Sequence, residues 1–179
     1  MNNLLPTIYL LILFVSLCTL LAFLCIQIIR KKEIETELSQ LQKKNRSGIA
    51  TPEEQYSLGV ILLSKKLFDQ AILQFSSALK NWDKLDTEGL ATLYNTIGFT
   101  YFESGQYDVS IYYYKEAINL NPNYVIALNN LAYSYEKKKM LQEAVQTYSK
   151  VLTFDEENKT ANEKLLSLQK RSKIRDDRI

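Results

Sequence analysis

The sequence predicts an all-α protein in which one N-terminal transmembrane helix precedes a solenoid of three helix pairs and a capping helix. Two observations predict this fold class. Residues 7–29 form a long run without a charged side chain. Further along, small and aromatic residues recur at the spacing of a repeated helix pair, and a fixed period of this kind is the mark of stacked repeats.

The apolar run is long enough to cross a bilayer. After a short tail at residues 1–6, residues 7–29 would form a helix of roughly 35 Å at about 1.5 Å per residue, against a hydrocarbon core of about 30 Å. A cleaved signal peptide is the alternative, with a basic start, a shorter apolar run and a small-residue cleavage site. Here the chain starts Met-Asn-Asn and the run ends in Arg30 and two lysines, which favours a retained anchor.

Charge asymmetry predicts the orientation of this anchor. Arg30, Lys31 and Lys32 follow the run, and no basic residue precedes it. Because basic residues stay on the side of synthesis, the rest of the chain is expected in the compartment where it is made.

A charged helical stalk or linker is expected at residues 30–50. Ile34, Leu38 and Leu41 follow each other at helical spacing, and Ser47-Gly48 should end the helix. A new helix should begin at Thr51-Pro52-Glu53-Glu54, because a threonine cap, a proline and a glutamate that reaches back to the cap form a capping box.

Three copies of one pattern follow, at residues 51–85, 91–124 and 125–158, with an insertion at residues 86–90. Each copy has a small residue on its first helix and an aromatic sixteen positions later on its second: Gly59 with Phe75, Gly98 with Tyr114, and Ala132 with Tyr148. Small residues let the two helices approach closely, and the aromatic fills the space between them. Gly98 is therefore expected to tolerate alanine but no larger residue. Because one pair cannot bury its apolar face alone, the pairs must stack.

The middle copy resembles the tetratricopeptide repeat (TPR) family at its signature positions: Tyr94, Ile97, Gly98, Tyr101, Gly105, Tyr107, Ser110, Tyr114, Ala117 and Pro122. The third copy departs from the pattern at Glu156 and the first at Gln55. Asp69, Asp108 and Gln142 are expected at the starts of the second helices, where Asp is a good N-cap. Residues 159–179 are expected to form a capping helix, with Leu165, Leu166 and Leu168 facing inward, and a frayed charged tail.

The residue inventory argues against an enzyme, a metal site or a cofactor site. The chain has no histidine, and Cys18 and Cys25 both lie in the apolar run. A Ser-His-Asp or Cys-His arrangement and a Cys/His zinc site are therefore not expected, and no glycine-rich phosphate loop is present. The net charge of +2 gives no basic field for nucleic acid.

A protein-binding groove is what the family resemblance implies for the first helices. The expected lining residues are aromatic, aliphatic and amide side chains that suit a peptide: Tyr56, Val60, Leu63, Asn95, Phe99, Phe102, Asn129, Asn130 and Tyr133. The alternative is that Phe99 and Phe102 only pack against a neighbouring helix. If the groove is open, truncating Phe99, Asn129 or Tyr133 should cost little stability.

Two further features bear on partner choice. The basic clamp that some family members use for a C-terminal carboxylate is not expected, because Tyr56, Val60, Ile126 and Asn130 stand at its positions. The run Tyr112-Tyr113-Tyr114 combines a core residue, Tyr114, with two tyrosines on the outer face, which are either half-buried packing or a contact surface.

The whole layout resembles the membrane-anchored photosystem I assembly proteins of red-algal plastids and cyanobacteria. A related soluble assembly factor with three repeats lacks the span. The resemblance implies a non-catalytic scaffold on the stromal side of the thylakoid membrane, with photosystem I subunits as partners and residues 7–29 in the bilayer. The alternative is a bacterial inner-membrane adaptor, with its body in the cytoplasm, that serves an envelope or secretion complex.

Overall fold

The structure, a computed structural model, describes the backbone of residues 4–176 and the side chains of this range except residues 4–6, 169 and 171–176. The part of the chain that it describes is helical, without strands. Its helices are α1 (Leu4–Arg46), α2 (Pro52–Ser64), α3 (Phe68–Asn81), α4 (Thr87–Glu103), α5 (Tyr107–Leu120), α6 (Val125–Lys137), α7 (Leu141–Phe154) and α8 (Lys159–Asp176). The all-α prediction is confirmed. Residues 1–49 and 50–179 form two separate units.

The first unit is the single helix α1 with the turn that ends it. By length and composition, α1 can cross a membrane, and no residue of its most apolar 18-residue window is buried. The hydroxyl groups of Ser16 and Thr19 donate to the carbonyl oxygens of Leu13 and Ser16, so both polar groups are satisfied inside the helix. The helix ends at Arg46, and Gly48 has a φ of 72°, in the left-handed region that favours glycine.

The second unit begins with the predicted capping box. Thr51 Oγ1 accepts from the Glu54 amide at 3.3 Å, and the Glu54 carboxylate accepts from the Thr51 amide at 3.1 Å. The helices then pack as pairs: α2 with α3, α4 with α5, and α6 with α7, followed by α8.

In the first two pairs, the small residue of the first helix lies under an aromatic ring. A Cβ placed on Gly59 would lie 2.5 Å from Phe75 Cε1, and one on Gly98 would lie 2.8 Å from Tyr114 Cδ1. Phe75 and Tyr114 are buried. The expectation that Gly98 tolerates alanine is therefore wrong in its simple form, because even a methyl group meets a buried ring.

The core continues from the middle pair through α8. Tyr114, Tyr148 and Ala161 lie in one buried cluster that joins α5, α7 and α8. Leu168 is buried and Leu165 partly buried, as predicted, but Leu166 is 60% exposed. The inward prediction for Leu166 is wrong, since only part of a helix surface can face α7. α8 continues to Asp176, so the prediction of a frayed tail over residues 170–179 is wrong for residues 170–176. Residues 177–179 lie outside the described residues.

The turn inside each pair has one residue in the left-handed conformation: Lys66, Gly105 and Lys139, with φ values of 60°, 81° and 61°. The second helices begin two residues later, after Leu67, Gln106 and Met140, without a side-chain cap. The N-cap prediction for Asp69, Asp108 and Gln142 is wrong, because these residues lie within the first turn. Asp108 instead pairs with Lys138, the C-cap residue of α6.

The insertion at residues 86–90 extends a helix. Asp86 is the N-cap of α4, and its Oδ1 accepts from the Gly89 amide at 2.8 Å. The extra residues form the first turn of α4, which makes α4 longer than α2 and α6.

Candidate protein-binding groove

The predicted lining residues come from the first helices α2, α4 and α6, which follow one another along the stack. Direct side-chain contacts join these helices. The Tyr56 hydroxyl lies 3.2 Å from Thr96 Oγ1, which joins α2 to α4. Asn130 Nδ2 donates to Asn95 Oδ1 at 3.0 Å, which joins α4 to α6. The structure therefore brings residues from all three predicted segments into one contact network, the first-helix face.

Two predicted residues offer exposed apolar surface. Val60 and Phe99 are each 40% exposed. They occupy the same position on α2 and α4, one repeat apart. Ile126 of α6 adds a third exposed apolar side chain. It was not predicted as a lining residue and was named only among the residues that replace the basic clamp of other family members. These three residues are the apolar anchors of the first-helix face.

Tyr56 and Leu63 of α2 are partly buried. The Tyr56 ring packs at 5.7 Å from the Phe75 ring and at 6.0 Å, edge on, from the Trp82 ring. Tyr56 is therefore held on both sides, and its hydroxyl is already bonded to α4. Trp82 was missed by sequence reasoning, although it is the only tryptophan of the chain. It is the C-cap residue of α3.

The three asparagines are engaged within the protein. Asn95 and Asn130 bond to each other. Asn129 Nδ2 donates to Asn158 Oδ1, just before α8, at 3.4 Å, while Asn129 Oδ1 is buried without a partner. The Asn95–Asn130 pair thus aligns α4 and α6.

Aromatic rings and lysines occupy the far end of the face. The Phe102 ring packs 5.1 Å from Tyr133 and 5.3 Å from Tyr107. The ammonium groups of Lys137 and Lys164 lie 5.0 Å and 4.7 Å from the Tyr133 ring centre, within cation–π range. A hydrogen bond with Tyr133 raises the pKa of Lys137.

Lys164 also forms an ion pair with Glu136, with Nζ 3.0 Å from Oε2. Two ammonium groups therefore cover the Tyr133 ring. Truncating Tyr133 or Asn129 would remove contacts that these side chains make within the fold. Lys164 was not predicted to lie at this site, although it follows Asn130 by one repeat period.

The tyrosine run divides as predicted for Tyr114 and Tyr112, but Tyr113 packs against α4 and does not lie on the outer face. Tyr114 is buried between α4 and α5. Tyr113 stacks on Tyr101 of α4, with ring centres 5.4 Å apart and planes within 8°, and burial raises the pKa of Tyr113. Tyr112 is 57% exposed. Tyr113 is therefore packing within its own pair, and only Tyr112 keeps a free outer surface.

No cluster of metal-ligating side chains occurs in the part of the chain that the structure describes. The groups on the first-helix face are amides, aromatic rings, aliphatic side chains and lysines. This arrangement can hold an extended polypeptide, with apolar anchors in contact with its side chains and polar groups near its backbone.

Comparisons with known proteins identify the family. Family models for the TPR repeat match residues 98–139 and 125–158. A protein of Guillardia theta described as uncharacterized protein ycf37 is 44% identical over the whole length of both chains. The chloroplastic tetratricopeptide repeat domain-containing protein PYG7 of Arabidopsis thaliana is 35% identical over 83% of this chain and 49% of its own.

Solved structures share the fold. MamA from Desulfovibrio magneticus superposes with a TM-score of 0.69 at 19% identity, over 81% of this chain and 79% of MamA. The first TPR domain of RPAP3, solved with an HSP90 peptide, gives a TM-score of 0.61 at 18% identity, over 68% of this chain and 92% of that domain. The predicted family is confirmed, and TPR proteins are non-catalytic interaction scaffolds. The chain belongs to the ycf37 family of TPR proteins.

Proposed function

We propose that this protein is a membrane-anchored, non-catalytic scaffold that holds newly made photosystem I subunits during assembly, on the stromal side of the thylakoid membrane. One observation carries the proposal. A membrane-length apolar helix and a three-pair TPR body occur in a chain that matches a ycf37 protein from end to end. The layout resembles photosystem I assembly proteins, and the name of PYG7 places that relative in the chloroplast.

The first-helix face is the proposed client site. Val60, Phe99 and Ile126 expose apolar surface on three successive first helices. Bonds between neighbouring first helices hold this spacing before a client arrives, which lowers the entropy cost of binding. The peptide bound to the RPAP3 domain supports a peptide-binding use of the same fold. An extended, partly apolar segment of a client subunit is the ligand that this surface fits.

The client site is tested by exchanging the anchors. The full-length double variant Val60→Ser/Phe99→Ser should keep its thermal stability, since exposed substitutions usually change it by about ±0.5 kcal/mol or less. After affinity purification from solubilised membranes, it should retain photosystem I subunits far less than wild type, because a few apolar anchors dominate an interface. Leu73→Ser is the matched control, as Leu73 is an exposed leucine of α3. Equal recovery of photosystem I subunits by the double variant and wild type would contradict the groove proposal.

The orientation is tested by proteolysis. Protease added to the stromal face of intact thylakoids should remove the TPR body and leave a membrane fragment of α1, because Arg30, Lys31 and Lys32 hold their end of the helix on that side. Protection of the body in intact thylakoids, with digestion only after lysis, would place it in the lumen and reverse the proposal.

A bacterial inner-membrane adaptor, the alternative from the sequence, would use the same face. The plastid-type relatives favour the plastid membrane over it.

A further inference from the structure

The connection between α3 and α4 has a feature that the groove does not use. Leu85 is 89% exposed, the highest value for a large hydrophobic side chain among the residues whose burial the structure describes. It lies directly before the insertion that interrupts the repeat period. In repeat proteins, insertions map to one face that often serves binding. Here the insertion forms the first turn of α4, and Leu85 lies in the connection that leads into it.

The tip that carries Leu85 is held by hydrogen bonds on both sides. Asp83 Oδ1 accepts from the Leu85 amide at 2.9 Å. The Leu85 carbonyl oxygen accepts from the Thr87 amide at 3.0 Å. The backbone is therefore ordered around the leucine, and a partner would not have to order it.

Side chains behind the tip complete this support. The Trp82 indole donates from Nε1 to Asp86 Oδ2 at 3.0 Å, and the Trp82 ring packs on Tyr56. A Cβ on Gly89, in the first turn of α4, would lie 1.9 Å from Asp86 Oδ2, so a larger residue there would displace the Asp86 carboxylate. These contacts hold Leu85 in a position where its exposed side chain contributes nothing to the packing of the core.

The other connections between pairs carry no large aliphatic side chain at their tips. Pro122 and Asn123 lie exposed between α5 and α6, and Glu156 and Glu157 between α7 and α8. A large exposed aliphatic side chain is thus specific to the tip between the first two pairs.

We propose that Leu85 is the anchor of a second docking site, which inserts into an apolar pocket of a partner protein bordered by lysine or arginine side chains. The charge around the tip supports this partner. Close to Leu85 in the chain are three carboxylates and one ammonium group, which belong to Asp83, Asp86 and Glu88 and to Lys84. Carboxylates favour a basic protein rim, whereas a lipid surface would be met by basic residues. The site is separate from the first-helix face, so it goes beyond the proposed client groove.

The test begins with the full-length chain in its native membranes, carrying the photoreactive residue benzoylphenylalanine at position 85. Irradiation should give one main protein adduct, mapped by mass spectrometry to an apolar site with neighbouring lysine or arginine residues. The same adduct should form in a Phe99→Ser background, because the groove is not involved. Adducts with lipid alone, or no protein adduct, would overturn the proposal.

Affinity then gives the decisive measurement, on the purified partner and the full-length chain. Leu85→Asp should raise the Kd about tenfold or more, as expected for a lost apolar anchor. Leu85→Met, which keeps an apolar side chain, should stay within about twofold of wild type. Leu73→Asp is the matched control at another exposed leucine and should also leave the Kd unchanged. Equal affinity of Leu85→Asp and wild type, with both chains folded, would overturn the proposal.

Discussion

The middle and third helix pairs form the same contact with different residues. In the middle pair, Gly98 lies so close to Tyr114 that a methyl group would come within 2.8 Å of the ring. In the third pair, Ala132 carries such a methyl group, and both Ala132 and Tyr148 are fully buried. Because real Cβ atoms do not approach a ring this closely, the Tyr148 ring must lie farther from its first helix. The small residue and the aromatic of each pair are therefore matched to each other.

Removing the two aromatic rings should give the largest effect, and it tests most directly whether the small residue and the ring of each pair are matched. Tyr114→Ala should destabilise the body, residues 50–179, by about 3–5 kcal/mol, the usual cost for a buried aromatic. Tyr148→Ala should cost less, since the Ala132 methyl group fills part of the space. Urea unfolding of both variants measures the difference. A larger loss for Tyr148→Ala would contradict the matched-pair interpretation.

Exchanging the small residues should come next. Gly98→Leu should cost about 1–3 kcal/mol or more from overpacking against Tyr114, and Gly98→Ala a smaller amount in the same direction. Ala132→Gly should also destabilise, by about 1 kcal/mol, because glycine is a poor helix former. Thermal melts of the three variants give the order. A melting temperature for Gly98→Ala above wild type would mean that the ring moves at no cost.

The turns inside the middle and third pairs allow a further comparison, with a smaller expected effect. Gly105 in the middle pair and Lys139 in the third both have positive φ, and the residue after each donates to the carbonyl oxygen of Tyr101 or Tyr135. Since the left-handed conformation costs about 1–2 kcal/mol for a residue with a Cβ, Gly105→Lys should destabilise and Lys139→Gly should stabilise. For Lys139→Gly we expect a rise in Tm of about 2–4 °C per kcal/mol. Lys138→Gly is the control, because Lys138 is the C-cap residue with a φ of −81°, where glycine relieves no strain, and it should lower the Tm.

The amide pair that joins the two helix pairs should give the smallest effect. Asn95→Ala and Asn130→Ala should each cost about 0.5–1.5 kcal/mol, the usual value for one hydrogen bond. The double variant should cost little more than either single one, because the bond is already lost. Strictly additive losses in a double-mutant cycle would mean that the 3.0 Å contact contributes no stability.

Much of this fold could be read from the sequence because its contacts repeat. Gly98, Tyr114 and Ala117 have counterparts one period away, and Thr51 begins a helix through a purely local bond. Leu166 could not be placed correctly, since three leucines fell in four residues and only packing against α7 decides which face inward. The N-cap residues were predicted at the wrong positions. A residue in the left-handed conformation sets the start of each second helix, and a lysine such as Lys66 or Lys139 at this place gives no sequence signal for it.

The candidate site was harder to predict than the fold. The spacing identified Val60 and Phe99, which are exposed. It did not show that Asn95 and Asn130 would satisfy each other, since that bond depends on the distance between neighbouring pairs. Lys164 lies outside the three copies, so its contact with Tyr133 depends on how α8 packs.

The burial of Ala161 and Leu168 makes α8 the terminator of the stack. Among the side chains that the structure describes, the exposed side of α8 is mainly charged and polar, with Leu166 as an exposed apolar side chain, so it offers another helix pair a smaller apolar surface than α7 does. A chain cut after residue 158 would present the covered side of α7 to solvent, and such ends should join into filaments. An additional repeat copied in before Lys159 would lengthen the protein by one module and leave its solubility intact, which makes the length of this scaffold an adjustable property.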